Sequence, residues 1–212
     1  MTMTKTLTTT TTFDFLRHGE PVGGKKYRGQ IDDPLSEKGW AQMRAATSAD
    51  QPWSTVVSSP LSRCLAFANE VSENVGLPLQ IDPRLAEVGF GDWEGKTAEQ
   101  INRQDPDAIF NFKRDPVRFR PAGAEPLVDF FGRVVSAYEE MAQRYAGQHV
   151  LVVAHAGVIR MAICHALGLP PSQAYSINVG SAGMARIRLE AKSGQRFDTL
   201  MFMSKGGFRK KC

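Results

Sequence analysis

Five consecutive apolar residues, Val150 to Ala154, run without a polar break and stop at His155-Ala156-Gly157. A run this short reads as a strand, and a strand apolar on both faces must be covered on both. It therefore belongs in the middle of a sheet with helices packed above and below. Other segments fit that frame. Short strands are expected at residues 13–16, 55–57 and 79–81, and two more near 184–189 and 197–202. Between them the apolar positions recur at helical spacing. One helix is expected from Ser36, as N-cap, to about residue 49, and another from Ser59-Pro60 to about 74. Leu127, Phe130, Val134, Tyr138, Met141 and Tyr145 mark a long amphipathic helix over 126–145, and a further helix follows His155 to about 167. Alternating strands and helices make the fold class α/β: a single doubly wound, mostly parallel sheet, with helices on both faces and right-handed crossovers.

A chain of 212 residues, 42% hydrophobic and 23% charged, can bury such a core without staples. Three stretches fall outside the pattern. Residues 1–12 are a Thr-rich leader expected to be disordered. Residues 205–212 form a flexible basic tail. Residues 87–121, rich in Gly, Asp, Asn, Arg and Pro, read as an inserted helical cap or lid on a domain spanning 13–204. The net charge of +4 comes from the tail: without Lys205, Arg209, Lys210 and Lys211 the chain carries 22 basic and 22 acidic residues. That argues against a nucleic-acid partner. No apolar run approaches the roughly 20 residues of a membrane span, and no signal-peptide segment is seen. The three cysteines, Cys64, Cys164 and Cys212, match no zinc spacing and suggest a reducing, cytoplasmic setting.

In such sheets ligands bind at the carboxyl ends of the strands. Three of those ends carry reactive side chains: Arg17 and His18 after the first strand, Arg63 one turn into the helix after the second, and His155 after the apolar run. A single histidine at a strand end is usually structural, and a single arginine on a helix is usually solvated. Two of each converging on one crevice suggest a phosphoryl pocket. Arginine offers a planar fork of donors to phosphate oxygens, and its charge keeps a neighbouring imidazole neutral and nucleophilic. There is no phosphate-binding G-x-x-x-x-G-K-[ST] loop, no H-E-x-x-H pair and no dinucleotide fingerprint.

The ordered set Leu16-Arg-His-Gly-Glu20, Asp33-Pro-Leu-Ser-Glu-Lys-Gly39, Ser58-Ser-Pro-Leu-Ser-Arg63, Glu87 with Phe90-Gly-Asp-Trp-Glu-Gly95, and Val152-Val-Ala-His-Ala-Gly-Val158 resembles the histidine phosphatase, or phosphoglycerate mutase-like, superfamily. Tyr27-Arg-Gly29, Gly39-Trp-Ala-Gln-Met43, Phe90-Gly-Asp-Trp-Glu-Gly95 and Glu125-Pro-Leu127 look most like its bacterial alpha-ribazole phosphatase branch, which acts in cobalamin biosynthesis. The resemblance implies a metal-independent phosphomonoesterase with a phosphohistidine intermediate and no cofactor, with alpha-ribazole 5′-phosphate as the expected substrate. His18 would be the nucleophile. Arg17, Arg63 and His155 would hold the phosphoryl oxygens, and Glu87 would protonate the leaving oxygen. Many members carry an Asn six residues after the nucleophile, where this chain has Gly24; a glycine backbone N–H, Arg28 or Gln30 would substitute for that contact, or the pocket would be looser. Ala156 stands where Gly is common, with its backbone N–H still available to substrate. The expected partner is a small phosphorylated metabolite, with no nucleic acid and no membrane; a homodimer is left open. Alternatives are a phosphoglycerate mutase, a sugar-phosphate or phosphoglycerate phosphatase on the same pocket, and a silent phosphate-binding module.

Overall fold

The computed structural model describes residues 8–48 and 52–204. Six strands form one sheet: β1 (Thr9–Arg17), β2 (Thr55–Ser58), β3 (Leu79–Ile81), β4 (His149–Ala154), β5 (Met184–Lys192) and β6 (Gln195–Met203). Their order across the sheet is β3-β2-β4-β1-β5-β6. The first four are parallel, while β5 and β6 run antiparallel. The antiparallel edge is a hairpin. Ser193 and Gly194 both have positive φ, 52° and 77°, the two-residue turn that matches the twist of paired strands.

β4 lies at the centre, as its composition requires, paired with β1 on one side and β2 on the other. Its residues alternate between two cores. Val150, Val152 and Ala154 pack under α5 (Leu127–Arg144) and α6 (Ala156–Ala166). Leu151 and Val153 pack with α1 (Glu37–Ala46) and α2 (Ser62–Val75) on the opposite face. All six apolar positions read for the long helix are buried on α5 or at its C-terminal cap. Truncating one of them, the fully buried Phe130, to Ala would cost about 3–5 kcal/mol. Residues 87–121 carry two short helices, α3 (Ala98–Gln104) and α4 (Ala108–Arg114). Phe90 and Phe112 join this segment to the α5–α6 core.

Two local expectations are corrected. The leader does not extend to residue 12: Thr9–Thr12 belong to β1 and pair with Ala191–Arg188 of β5. Threonine suits a pleated edge, and the Thr11 hydroxyl accepts the Gly147 N–H at 3.0 Å. Residues 1–7 and the basic tail from 205 lie outside the described residues. In addition, α2 starts at Ser62, not Pro60. Its cap comes from another loop: the Ser62 N–H and hydroxyl both donate to Asp32 Oδ1, at 2.7 and 2.9 Å. Ser59, the expected cap, still accepts the Leu61 N–H at 3.3 Å, and the same hydroxyl meets His155 at 2.7 Å. Among the described residues no helix is long and apolar enough to cross a membrane.

Candidate active site

The carboxyl ends of β1, β2 and β4 meet, and the loops and helices leaving them enclose a cavity of about 500 Å³. Arg17, His18, Arg63, Glu87 and Ala156 line its floor. His18 leaves the sheet directly after β1, its backbone N–H held by the Ala154 carbonyl at 3.0 Å. Its ring Nδ1 lies 2.7 Å from the Gly19 carbonyl. A carbonyl only accepts, so Nδ1 carries the hydrogen and Nε2 keeps its lone pair whenever the ring is neutral. The ring is neutral over a wide range. Burial, with Arg17 and Arg63 next in effect, drives its pKa well below 6.5. The result is an imidazole with its nucleophilic nitrogen defined.

Both floor arginines are tied to backbone carbonyls. Arg17 Nη1 donates to Val179 O at 2.7 Å. Arg63, 1% exposed, donates to Ile31 O at 2.7 Å and Gly29 O at 3.0 Å. In each, the buried Nε–H has no protein acceptor among the described residues, which leaves it for an anion's oxygen. Burial pulls Arg17 below the usual arginine value, and the charge of Glu87 opposes this. α6 begins at Ala156, and its N-terminal dipole favours negative charge in the same place.

Glu87, 9% exposed, reaches the N-terminus of α6. Its Oε2 accepts the Gly157 N–H at 3.3 Å and its Oε1 accepts the Val88 N–H at 3.0 Å. The approach depends on glycine: a Cβ at position 157 would lie 2.3 Å from Glu87 Oε1. A carboxyl group is thus held beside the cavity floor without an ion pair to Arg17 or Arg63.

His155 is brought in differently from what the sequence suggested. It is fully buried, its ring centroid 5.2 Å from that of His18 and tilted 61°. Its Nε2 meets Ser59 Oγ at 2.7 Å, and the Cys64 thiol packs 3.5 Å away. It backs His18 instead of lining the cavity, because the α2 loop draws its polar edge inward. Burial, followed by His18 and Arg63, lowers its pKa well below 6.5 too. Gln30 is a clearer departure. It sits in a neighbouring surface groove and donates to the backbone carbonyl of Glu87, so it does not take the place of a phosphate ligand. Arg28 lines the cavity with Nε bonded to Asp33 at 2.8 Å and Nη2 to the Val22 carbonyl at 2.6 Å.

The mouth carries cations outside the sequence motifs, Lys25, Lys26, Lys113 and Arg160, with Tyr175 and the motif residue Tyr27. Arg160 stacks over Tyr175 at 5.1 Å and donates to Ile177 O at 2.9 Å. One signal pointed to it: Arg160 lies four residues after Ala156, hence on the same helix face. Over the whole lining, seven Lys and Arg stand against Glu20 and Glu87.

The model of the histidine phosphatase superfamily (branch 1) matches residues 13–199. Phosphoserine phosphatase 1 of Hydrogenobacter thermophilus is 30% identical over 183 residues, covering 84% of this chain and 86% of that protein. A glucosyl-3-phosphoglycerate phosphatase of Mycolicibacterium vanbaalenii is 34% identical over 166 residues, 73% of each chain. The solved alpha-ribazole phosphatase of Shigella flexneri superposes with a TM-score of 0.76 over 94% of this chain and all of that one; at 24% identity the likeness is one of fold.

Proposed function

The chain belongs to the histidine phosphatase superfamily, and from that premise we propose that it hydrolyses small phosphate monoesters through a phosphohistidine on His18. One observation carries this reading: a neutral His18, tautomer set by Gly19, shares one floor with Arg17, Arg63 and the α6 N-terminus. In the first step His18 Nε2 attacks phosphorus, the P–O bond to the alcohol breaks, and Glu87 gives its proton to the departing oxygen. In the second, Glu87 takes a proton from water. The water oxygen attacks phosphorus, the N–P bond breaks and inorganic phosphate leaves. Arg17 and Arg63 offset the charge on the transferring oxygens, and His155 holds the back of the His18 ring. Those roles need no metal.

For the substrate, we favour esters whose alcohol carries its own negative charge. Lys25, Lys26, Lys113 and Arg160 line the cavity where the alcohol would sit, the three lysines exposed and Arg160 half-buried, and a cation there recognises a carboxylate by charge-assisted hydrogen bonds. The relatives named for phosphoserine and glucosyl-3-phosphoglycerate act, by those names, on carboxylate-bearing esters. A second reading, alpha-ribazole 5′-phosphate, is favoured by the Tyr27-Arg-Gly29 and Phe90-Gly-Asp-Trp-Glu-Gly95 stretches. Its uncharged nucleoside would leave the mouth cations unmatched. The deciding experiment is phosphate release from phosphoserine, 3-phosphoglycerate, glucosyl-3-phosphoglycerate, alpha-ribazole 5′-phosphate and p-nitrophenyl phosphate. The expected result is a kcat/KM at least about tenfold higher for a carboxylate-bearing ester, roughly one well-placed ionic contact. Preference for alpha-ribazole 5′-phosphate would reverse the substrate assignment. Isomerisation of 3-phosphoglycerate in place of hydrolysis would make the protein a mutase.

A further inference from the structure

Glu87 lies in a stretch without a ladder to hold it. The chain leaves β3, makes a single 3-10 turn at Pro83–Leu85, and stays irregular until Gly91. Its carboxyl group must nevertheless be placed within a fraction of an ångström of the leaving oxygen to transfer a proton. The group that holds this stretch is on α5. Arg133 Nη1 donates to the carbonyls of Arg84 and Ala86, at 2.6 and 2.7 Å. Its Nη2 donates to the carbonyl of Glu87 at 3.1 Å and to Glu125 Oε2 at 2.9 Å, and its Nε donates to Glu125 Oε1 at 2.7 Å. A guanidinium has five N–H donors, and here each has an acceptor. Glu125 braces the far side, since its Oε2 also accepts the Gly89 N–H at 3.2 Å. Arg133 is itself fixed: its guanidinium lies 4.6 Å over the ring of the fully buried Phe130, and that ring abuts Gly157, where Glu87 docks. Gln30 adds a second donor to the Glu87 carbonyl.

We propose that Arg133 is a positioning residue for the proton donor: its planar fork fastens three carbonyls at and before Glu87 to the rigid α5, so that the Glu87 side chain meets the N-terminus of α6. The inference rests on the phosphatase reading and on Glu87 as the acid. It differs from a purely electrostatic role because geometry, not charge, is what Arg133 supplies. Lysine keeps the charge but has three donors on a flexible stem and cannot reproduce the fork.

The test uses kcat/KM, which reports the first phosphoryl transfer. It compares p-nitrophenyl phosphate, whose leaving group needs little protonation, with whichever of the four alkyl phosphates is cleaved fastest. Arg133→Lys and Arg133→Met should lose about 10- to 100-fold more activity on the alkyl ester than on the aryl one, a part of what general acid catalysis supplies. Gln30→Ala, which removes one exposed donor, should shift the same ratio in the same direction by less. Thermal midpoints identify any variant that is unfolded, and the Gln30 variant keeps the test open if the arginine variants are. Equal losses on both esters, or a Lys variant that keeps the unmodified ratio, would overturn the clamp alone. An unmodified protein inactive on every ester would overturn the phosphatase reading and the clamp with it.

Discussion

The floor and the mouth of the cavity are built on opposite principles. His18, Arg63 and the α6 N-terminus sit at the ends of parallel strands or within the first turn of the helix beyond, buried and bonded to the backbone. The mouth draws on the loop after His18, on α4 of the inserted segment and on the outer face of α6, and supplies long cationic side chains. Topology determines where the floor must be. The mouth depends also on the course of the loop after His18 and of the inserted segment. The reaction is therefore written in the rigid part of the molecule and the choice of substrate in the adaptable part, a division in keeping with catalytic scaffolds that vary by their loops.

The sharpest way to break that division is to change each part and ask whether its effect stays in its own province. His18→Ala should lower turnover of every phosphate ester, activated or not, by about 10⁴-fold or more. Retained activity on p-nitrophenyl phosphate would dismiss His18 as nucleophile. Arg63→Met should cost about 10²- to 10³-fold in kcat for all substrates, in line with losing one preorganised donor. It should also lower the thermal midpoint, because the Gly29 and Ile31 carbonyls lose their partner. A change confined to KM would move Arg63 out of the floor. At the mouth, Arg160→Met with Lys113→Ala should raise KM for a carboxylate-bearing ester about tenfold and leave p-nitrophenyl phosphate nearly unchanged. Equal effects on the two esters would erase the distinction between mouth and floor.

The last effect concerns stability and not turnover. His18 and His155 titrate well below 6.5 in the fold, whereas in the unfolded chain they titrate near that value. Below about pH 6.5 the unfolded state binds protons that the native state does not. Stability should therefore fall as pH drops through 6.5, by about 1.4 kcal/mol per pH unit for each histidine until its folded pKa is reached. His155→Asn should remove roughly half of that slope in urea titrations between pH 4.5 and 6.5. An unchanged slope would mean that His155 is not held neutral.

The same division explains what could be read from sequence. Val150 to Ala154 is apolar on both faces, so its central place and the position of His155 follow from burial alone. Leu16-Arg-His-Gly-Glu20 and Arg63 sit next to strands that are themselves legible, so the floor is legible too. The start of α2 was not, because its cap, Asp32, is 30 residues away in the chain and reaches Ser62 only in the fold. Thr9–Thr12 lack the apolar residues that announce a strand and gain their order from β5, more than 170 residues later. Gln30 and Arg133 act by donating to carbonyls, which every residue possesses, so no residue type in the acceptor marks them. His155 was placed at the correct strand end, but its pairing with Ser59 depends on how two strand-end loops face each other, and local pattern does not encode that.

The contact at Gly157 also has an implication for descent. Position 157 and position 87 are coupled: a Cβ at 157 would press on Glu87 Oε1 and on the Phe130 ring, so the carboxylate would have to shift from its present place. On the reading of Glu87 as the acid, a lineage that acquires one needs a compensating shift of that side chain. Relatives of this chain with a larger residue at that position are therefore where a relocated proton donor, or a narrowed taste for activated esters, should be sought.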